Sequence, residues 1–396
     1  MSAMRYSIAT NWDLNLLDRL KGTPVESLYG QIWGDPLGGG RMALFIPKVG
    51  KEEVTIFIGE TRKRGLGFNY LINGTCFDNL EFTKKAYREI AKHIEWIAST
   101  GADMVTVTLP FLVEIVKREF PHLKVAASSF ARVQNVHLAN FWEEMGTDKI
   151  ILPESISRDF RSLHLIRDAV DCELELIANH CCLFQCFLDL HHRNMVSHGS
   201  QADHACGGFA PDYCKLACQR LKILKPVELI KSTWIRPEDV SLYEEVGIDC
   251  LKLVERFRGT ESLLQIVHAY EKRNYDGNLV ELLTLPQQGV FLTPNLEMIE
   301  RTDLIEPEKM GEVMAVLREP FPGRVHIDNR KLDGFLEHFK KVDCLRMDCG
   351  RCGYCESVAN RAISMDEQWR REMVGRFDRA LEILTTGEIA GFRGRE

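Results

Sequence analysis

The sequence has no run of about 18 uninterrupted apolar residues, so no segment reads as a membrane-spanning helix. Its first residues, Met1 to Asp13, show no basic stretch followed by an apolar run and a small-residue cleavage site, and the expected location is cytoplasmic. Positive charge is also short: 50 Lys and Arg stand against 57 Asp and Glu, a formal net charge of -7. That excludes a broadly basic surface, so an RNA substrate would have to rely on a local patch. No G-x-G-x-x-G turn opens a helix, and neither a G-x-S-x-G elbow nor an H-E-x-x-H helix is present. The dinucleotide fingerprint, the serine-hydrolase nucleophile and the zinc-protease ligand pair are thereby missing. With 45% hydrophobic residues over 396, the chain does have enough apolar surface to bury a large core.

Cysteine, by contrast, is abundant and clustered. Of the 13, Cys181, Cys182, Cys186, Cys206, Cys214 and Cys218 share one stretch, and Cys344, Cys349, Cys352 and Cys355 another. In a reducing compartment such clusters ligate metal more readily than they form disulfides. Cys76, Cys172 and Cys250 stand alone and read as small buried hydrophobes.

Short β-rich apolar runs alternate with amphipathic helical patterns over the first two thirds, the signature of parallel βαβ units. One phrase recurs: "STGADMVTVTLP" (99–110), "EMGTDKIILPE" (144–154) and "EVGIDCLKLVE" (245–255) each end a helix at glycine, pass one residue, place an aspartate and enter a strand. The glycine suits a left-handed helix end, and the apolar run suits a strand buried on both faces. Further strands are expected at 5–9, 25–31, 68–72, 124–127 and 173–178, and a helix at 83–99. The count is close to eight, which predicts an α/β fold of the (β/α)8 TIM-like barrel type. "GDPLGGGR" (34–41) has the glycines of a phosphate loop without its Lys-Ser/Thr end, and reads as a flexible loop. After Glu281 the rhythm stops. The expected domains are a barrel over 1–281 with a Cys-rich insertion at about 180–220, and a smaller Cys-rich extension over 282–396 that ends in a helix at 365–385.

The first cysteine group begins where a strand ends, in "CELELIANHCCLFQC", and barrels hold active sites at their strand C-termini. Cys182 and Cys186 form one C-x3-C pair, Cys214 and Cys218 another. Four such thiolates suit a 4Fe-4S cluster; zinc could use the same set, and Cys181 or Cys206 could substitute for a member. A radical S-adenosylmethionine motif fails at its third position, Asp189. In "DCLRMDCGRCGYCE", Cys349, Cys352 and Cys355 form C-x2-C-x2-C behind Cys344, which suits a second iron–sulfur cluster or a zinc knuckle. Histidines gather nearby, and His180, beside the cysteines, is the best placed for proton transfer. Arg132, Asn135, Glu154, Arg158, Glu175, Trp234, Arg236, Glu255 and Arg258 fall at or near strand ends. They would either bind an anionic substrate or brace the barrel top with ion pairs.

"ELELIANHCCLFQC", the paired "DYCKLAC", "KSTWIRPEDVSLYEEVGIDCLKLVERFRGTE" and the terminal "CGRCGYC" together resemble a divergent branch of the U32 family, the collagenase-like peptidases. The glycine and serine residues that flank the family's first cysteines are replaced here by "NHCCLFQC". The resemblance implies an iron–sulfur protein of oxygen-independent hydroxylation, acting on an RNA base, a quinone precursor or another small or peptidyl substrate. On it, Cys182, Cys186, Cys214 and Cys218 hold the cluster, His180 or Glu175 moves protons, and Arg132, Arg158 and Arg236 position the substrate. The family name implies a peptidase instead. A third reading is an electron-transfer or scaffold subunit working with a second U32-like or electron-donor protein.

Overall fold

In the computed structural model, which describes residues 3–201, 204, 211–256, 258–287 and 305–392, eight parallel strands close on themselves. They are β1 (Arg5–Ala9), β2 (Val25–Gly30), β3 (Gly67–Ile72), β4 (Met104–Val107), β5 (Lys124–Ala127), β6 (Lys149–Leu152), β7 (Glu173–Ile177) and β8 (Cys250–Leu253). β1 pairs with β2 on one side and with β8 on the other, Arg5 opposite Cys250 and Ile8 opposite Leu253, which closes a (β/α)8 barrel as the helix–strand alternation predicts.

The recurring phrase has a joint role at the barrel floor. Gly101, Gly146 and Gly247 all take left-handed backbone, with φ between 84° and 91°. The aspartate two residues on then turns to the strand before it: Asp103 accepts Phe68 N–H (2.8 Å), Asp148 accepts Val125 N–H (2.7 Å) and Asp249 accepts Leu174 N–H (2.9 Å). Each satisfies a strand-end donor that the ladder leaves open.

Inside the lumen, Lys149 reaches Glu26 (3.0 Å), Glu173 (3.3 Å) and Glu175 (3.2 Å). Glu175 also accepts from Ser7 Oγ (2.7 Å) and faces Lys252 (3.8 Å). This corrects the proton-transfer role expected of Glu175. It sits in mid-strand, buried, and two ammonium groups hold it ionised; the inward position that reaches the mouth is Ile177.

"GDPLGGGR" is also not a flexible loop. Asp35 is buried, accepts from Tyr70 Oη (2.6 Å) and contacts His93 Nε2 (2.9 Å). A Cβ at Gly39 would stand 1.8 Å from Gln31 Oε1, so close packing and not mobility is the reason for glycine there.

Beyond Glu281, Leu282, Leu283 and Leu285 remain buried, and Val313, Phe321 and Phe377 join the same continuous apolar core as the barrel helices. The irregular chain expected here contains a helix, Pro307–Leu317, whose Met310, Val313, Met314 and Leu317 follow helical spacing and are buried. Prolines on either side of it obscure the pattern. The remainder of the expected irregular phrase, from 288 to 297, lies outside the described residues. The final helix runs Glu367–Thr385, capped by Asp366, and packs on the helix Tyr213–Leu224 that carries Cys214 and Cys218. A two-stranded antiparallel ribbon, β9 (Val325–Ile327) with β10 (Ile363–Met365), links these parts. Among the described residues no helix is long and apolar enough to cross a membrane.

Candidate functional site

Two places converge chemistry. The first is the barrel mouth, a cavity of about 90 Å³ lined by residues including Tyr29, Arg41, Asn73, Glu154, His180 and Arg256. His180, three residues past β7, meets Glu154 through Nδ1 at 2.7 Å, and Glu154 Oε2 meets Arg193 at 3.3 Å. Burial would raise the Glu154 carboxyl, but the His180 hydrogen bond and the Arg193 charge hold it well below the ordinary carboxylate range. Arg193 continues to Asp189 (2.6 Å), which Arg132 also approaches at 3.4 Å.

Of the mouth's cations, Arg41 pairs with Glu255, and Lys252 lies 3.7 Å from the Tyr29 ring centre while facing Glu175. Arg256 differs. It is 93% buried by its 7% exposure, yet among the described residues no hydrogen bond or ion pair reaches it, and its Nη1 is a buried donor without a partner. Burial and the neighbouring Arg41 lower its pKa to about 10. Across the cavity Asn73 Oδ1 is a buried acceptor likewise without a partner. Glu255 and Asp35 act on Arg256 only from a distance, and a mouth with one cation lacking a direct partner and one open acceptor is shaped for an anion that also carries a hydrogen-bond donor.

The second place is the pair of cysteine groups. Cys182 and Cys186 lie close enough to titrate together: sharing a proton favours the Cys186 thiolate and, with burial, pushes the Cys182 thiol well up. Burial raises Cys214 to about 12 and raises Cys218, and both lie within electrostatic reach of Cys186. Lys222, buried on the same helix as Cys214 and Cys218, donates to the Cys181 carbonyl. Burial disfavours its charge, whereas thiolates at Cys218, Cys181, Cys182 and Cys186 would favour it. Cys181 itself packs into the apolar core, and Cys206 lies outside the described residues.

Cys344, Cys349, Cys352 and Cys355 line one cavity of about 230 Å³. Asp348 caps the short turn Cys349–Cys352, accepting from Gly350 and Arg351 N–H, and Gly353 at φ 62° turns the chain into the helix Tyr354–Ala362 that presents Cys355. His338 Nε2 stands 3.5 Å from Cys352 Sγ, its ring stacked on Tyr354 at 3.8 Å. Phe184, between Cys182 and Cys186 in sequence, lines an adjoining cavity of about 50 Å³ with Cys344, Cys349 and Cys355, so the two groups are neighbours.

The structure thus brings His180 and Glu154 together, but places several substrate candidates elsewhere. Asn135 caps the helix Val136–Glu144 by accepting Leu138 N–H at 3.0 Å, which occupies its side chain. Trp234 is wholly buried, donating to the Leu229 carbonyl (2.7 Å) and stacking on Phe335. Arg236 is buried against Asp239 (2.8 Å) and also bonds the Asn329 carbonyl (2.9 Å), joining barrel to extension. Arg158 bonds the Ile230 carbonyl (2.7 Å), lies over Trp234, and lines the small cavity beside Cys344 and Cys355, away from the mouth. Arg132 reaches the mouth network only through Asp189. Arg258 bonds Ser262 (2.9 Å) and the Glu281 carbonyl (3.1 Å). Sequence reasoning misses Arg41, Arg193, Lys222, Lys252, Arg256 and His338. Arg256 adjoins Glu255, which was singled out, but nothing in a two-residue step says which one turns inward. Cys250 is buried as expected, whereas Cys76 and Cys172 are only half-buried.

A family model described as peptidase family U32 matches residues 72–276. An uncharacterized protease of Methanocaldococcus jannaschii is 29% identical over 333 residues, 83% of this chain and 86% of the relative. A tRNA hydroxylation protein of Bacillus subtilis is 24% identical over 179 residues, covering 42% of this chain and 41% of that protein. A U32 peptidase of solved structure aligns with a TM-score of 0.49 at 20% identity, over 64% of this chain and 92% of its own.

Proposed function

Because the chain belongs to peptidase family U32, we propose that it is an iron–sulfur enzyme that modifies an anionic substrate at the barrel mouth without molecular oxygen, by hydroxylating an RNA base, a quinone precursor or another small or peptidyl molecule. Lys222 carries the cofactor half of this reading: a buried ammonium beside cysteine sulfurs, of which Cys182 and Cys218 stay neutral as free thiols, with no carboxylate in ion-pair reach among the described residues. A buried cation requires anionic company, and metal-bound thiolates supply it. The relative named for tRNA hydroxylation supports the reaction class.

Cys182, Cys186, Cys214 and Cys218 would hold a 4Fe-4S cluster; Cys344, Cys349, Cys352 and Cys355, around a shared cavity, would hold a second one or a zinc ion. When bound, a cluster supplies one-electron chemistry beside the strand ends. The chain's own residues do the rest. Arg256, helped by Lys252, takes the substrate's anionic group; Asn73 Oδ1 accepts its donor; His180, fixed through Nδ1 on Glu154, holds or moves a proton at Nε2. A second U32-like or redox protein would exchange electrons with the neighbouring cysteine groups, taking up the two that hydroxylation removes from the substrate.

The test is anaerobic purification with iron, sulfide and zinc analysis and a visible spectrum. Broad visible absorbance with roughly four or eight irons per chain supports the proposal, and Cys214→Ser or Cys182→Ser should remove the first cluster's share of iron together with the activity. A colourless protein with stoichiometric zinc sinks it. The lowered Cys186 thiol favours a second reading, a cysteine-nucleophile hydrolase. Cleavage of casein or denatured collagen that survives complete iron removal and stops with a thiol reagent would select it.

A further inference from the structure

On the loop after β3, Cys76 and Asp78 face the end of the helix Asp189–His198. One ligand atom each from Cys76, Asp78 and His198 lie within 4.8 Å of one another, the one such trio of His, Cys, Asp or Glu among the described residues. A second imidazole joins them: His204 stacks on His198 at 4.3 Å, and its Nε2 stands 3.3 Å from Asp78 Oδ2 while His198 Nε2 stands 3.6 Å from Oδ1. We propose that Cys76, Asp78 and His198, with His204 beside them, form a site for a single zinc-type divalent cation, separate from both cysteine groups.

The donor set fits that chemistry. One thiolate, one carboxylate and neutral imidazole nitrogens are the ligands of tetrahedral zinc, and a deprotonated Cys76 with Asp78 contributes two negative charges to a dication. The two imidazole nitrogens converge on one carboxylate at separations long for hydrogen bonds, as ligands spaced around a common ion do. The surroundings hold the set in place: Gln201 Nε2 donates to the Cys76 carbonyl (3.2 Å), and Thr75 N–H donates to Ser197 Oγ (3.1 Å). These fixings resemble the outer bonds that orient metal ligands.

The site would act as a clasp at the rim of the mouth. Just past His198, Ser200 Oγ accepts Gly39 N–H (2.7 Å) and the Gly199 carbonyl accepts Ala43 N–H (2.8 Å). Gly40 and Arg41, between those bonds, line the mouth. A cation on Cys76, Asp78 and His198 would therefore fix the loop that presents Arg41.

The full chain is incubated with zinc chloride, desalted and alkylated with iodoacetamide, and each cysteine's modification is read by peptide mass spectrometry. Zinc should protect Cys76, and a Cys76→Ser/His198→Ala chain should hold about one zinc fewer than the wild type with its iron content unchanged. His204→Ala should weaken zinc retention roughly 10–100-fold, as loss of an orienting or fourth ligand does. Cys76 alkylation indifferent to zinc, or an equal zinc count in wild type and double variant, overturns the site. Since iron is counted separately, failure here is distinguishable from failure of the cluster assignment.

Discussion

Arg256 holds its charge where water is largely excluded, with no carboxylate in ion-pair reach among the described residues. An unsatisfied buried donor costs about 1–3 kcal/mol, and more when it is charged. Arg256→Met should therefore raise the thermal stability of ligand-free protein by about 1–3 kcal/mol while abolishing turnover; a variant less stable than wild type would make Arg256 a structural residue. Glu154 gives the opposite sign. Its folded-state pKa is depressed below the unfolded value of about 4.3, so its contribution is fully present above that pH and is lost as acid carries it down through the folded pKa. Glu154→Gln should flatten the acid limb of the stability–pH curve below about pH 4, measured by denaturant melts on metal-free protein. An unchanged limb would mean that other carboxylates govern acid unfolding.

At the scale of elements, the joints repay attention. Gly247 ends a helix at φ 91°, and a Cβ there would stand 3.0 Å from Arg167 Cγ and Cδ. Gly247→Ala should cost about 1–2 kcal/mol from the left-handed backbone alone, read as a lowered denaturation midpoint. All eight barrel strands were legible in the sequence, because strands buried on both faces give continuous apolar runs and the Gly-x-Asp joint marks three of them. Residues beyond the strand ends were not. Periodicity stops where a loop begins, so Arg158 and Arg236 could not be told from mouth residues, nor could Asn135, which the structure uses to cap the helix Val136–Glu144. The cysteine spacing found both thiol groups, but no spacing rule announces a lone Lys222 among them.

Across the whole molecule, barrel and extension share one core, and Arg236 is a rivet between them, bonded to Asp239 and to the Asn329 carbonyl. Arg236→Ala should cost about 3–5 kcal/mol, since it leaves a nearly buried carboxylate unpaired; a shift under 1 kcal/mol would deny it that role. Phe377, buried where the final helix meets the helix of Cys214 and Cys218, is the counterpart rivet. Phe377→Ala should cost about 3–5 kcal/mol and, if the proposed cluster is present, quicken iron loss to a chelator, whereas unchanged iron retention would uncouple the extension from the first cysteine group.

That packing sets a timetable. The helix bearing Cys214 and Cys218 emerges during synthesis well before the final helix that covers it, and β1 waits for β8 before the barrel has no open edge. Until then the thiols lack the cover of the final helix, so an arrested or truncated chain is one whose sulfurs lie more open to oxidants. A metal centre on Cys214 and Cys218 would thus gain its cover only once the final helix is made, and loss of the distal segment would surface first as a defect of maturation.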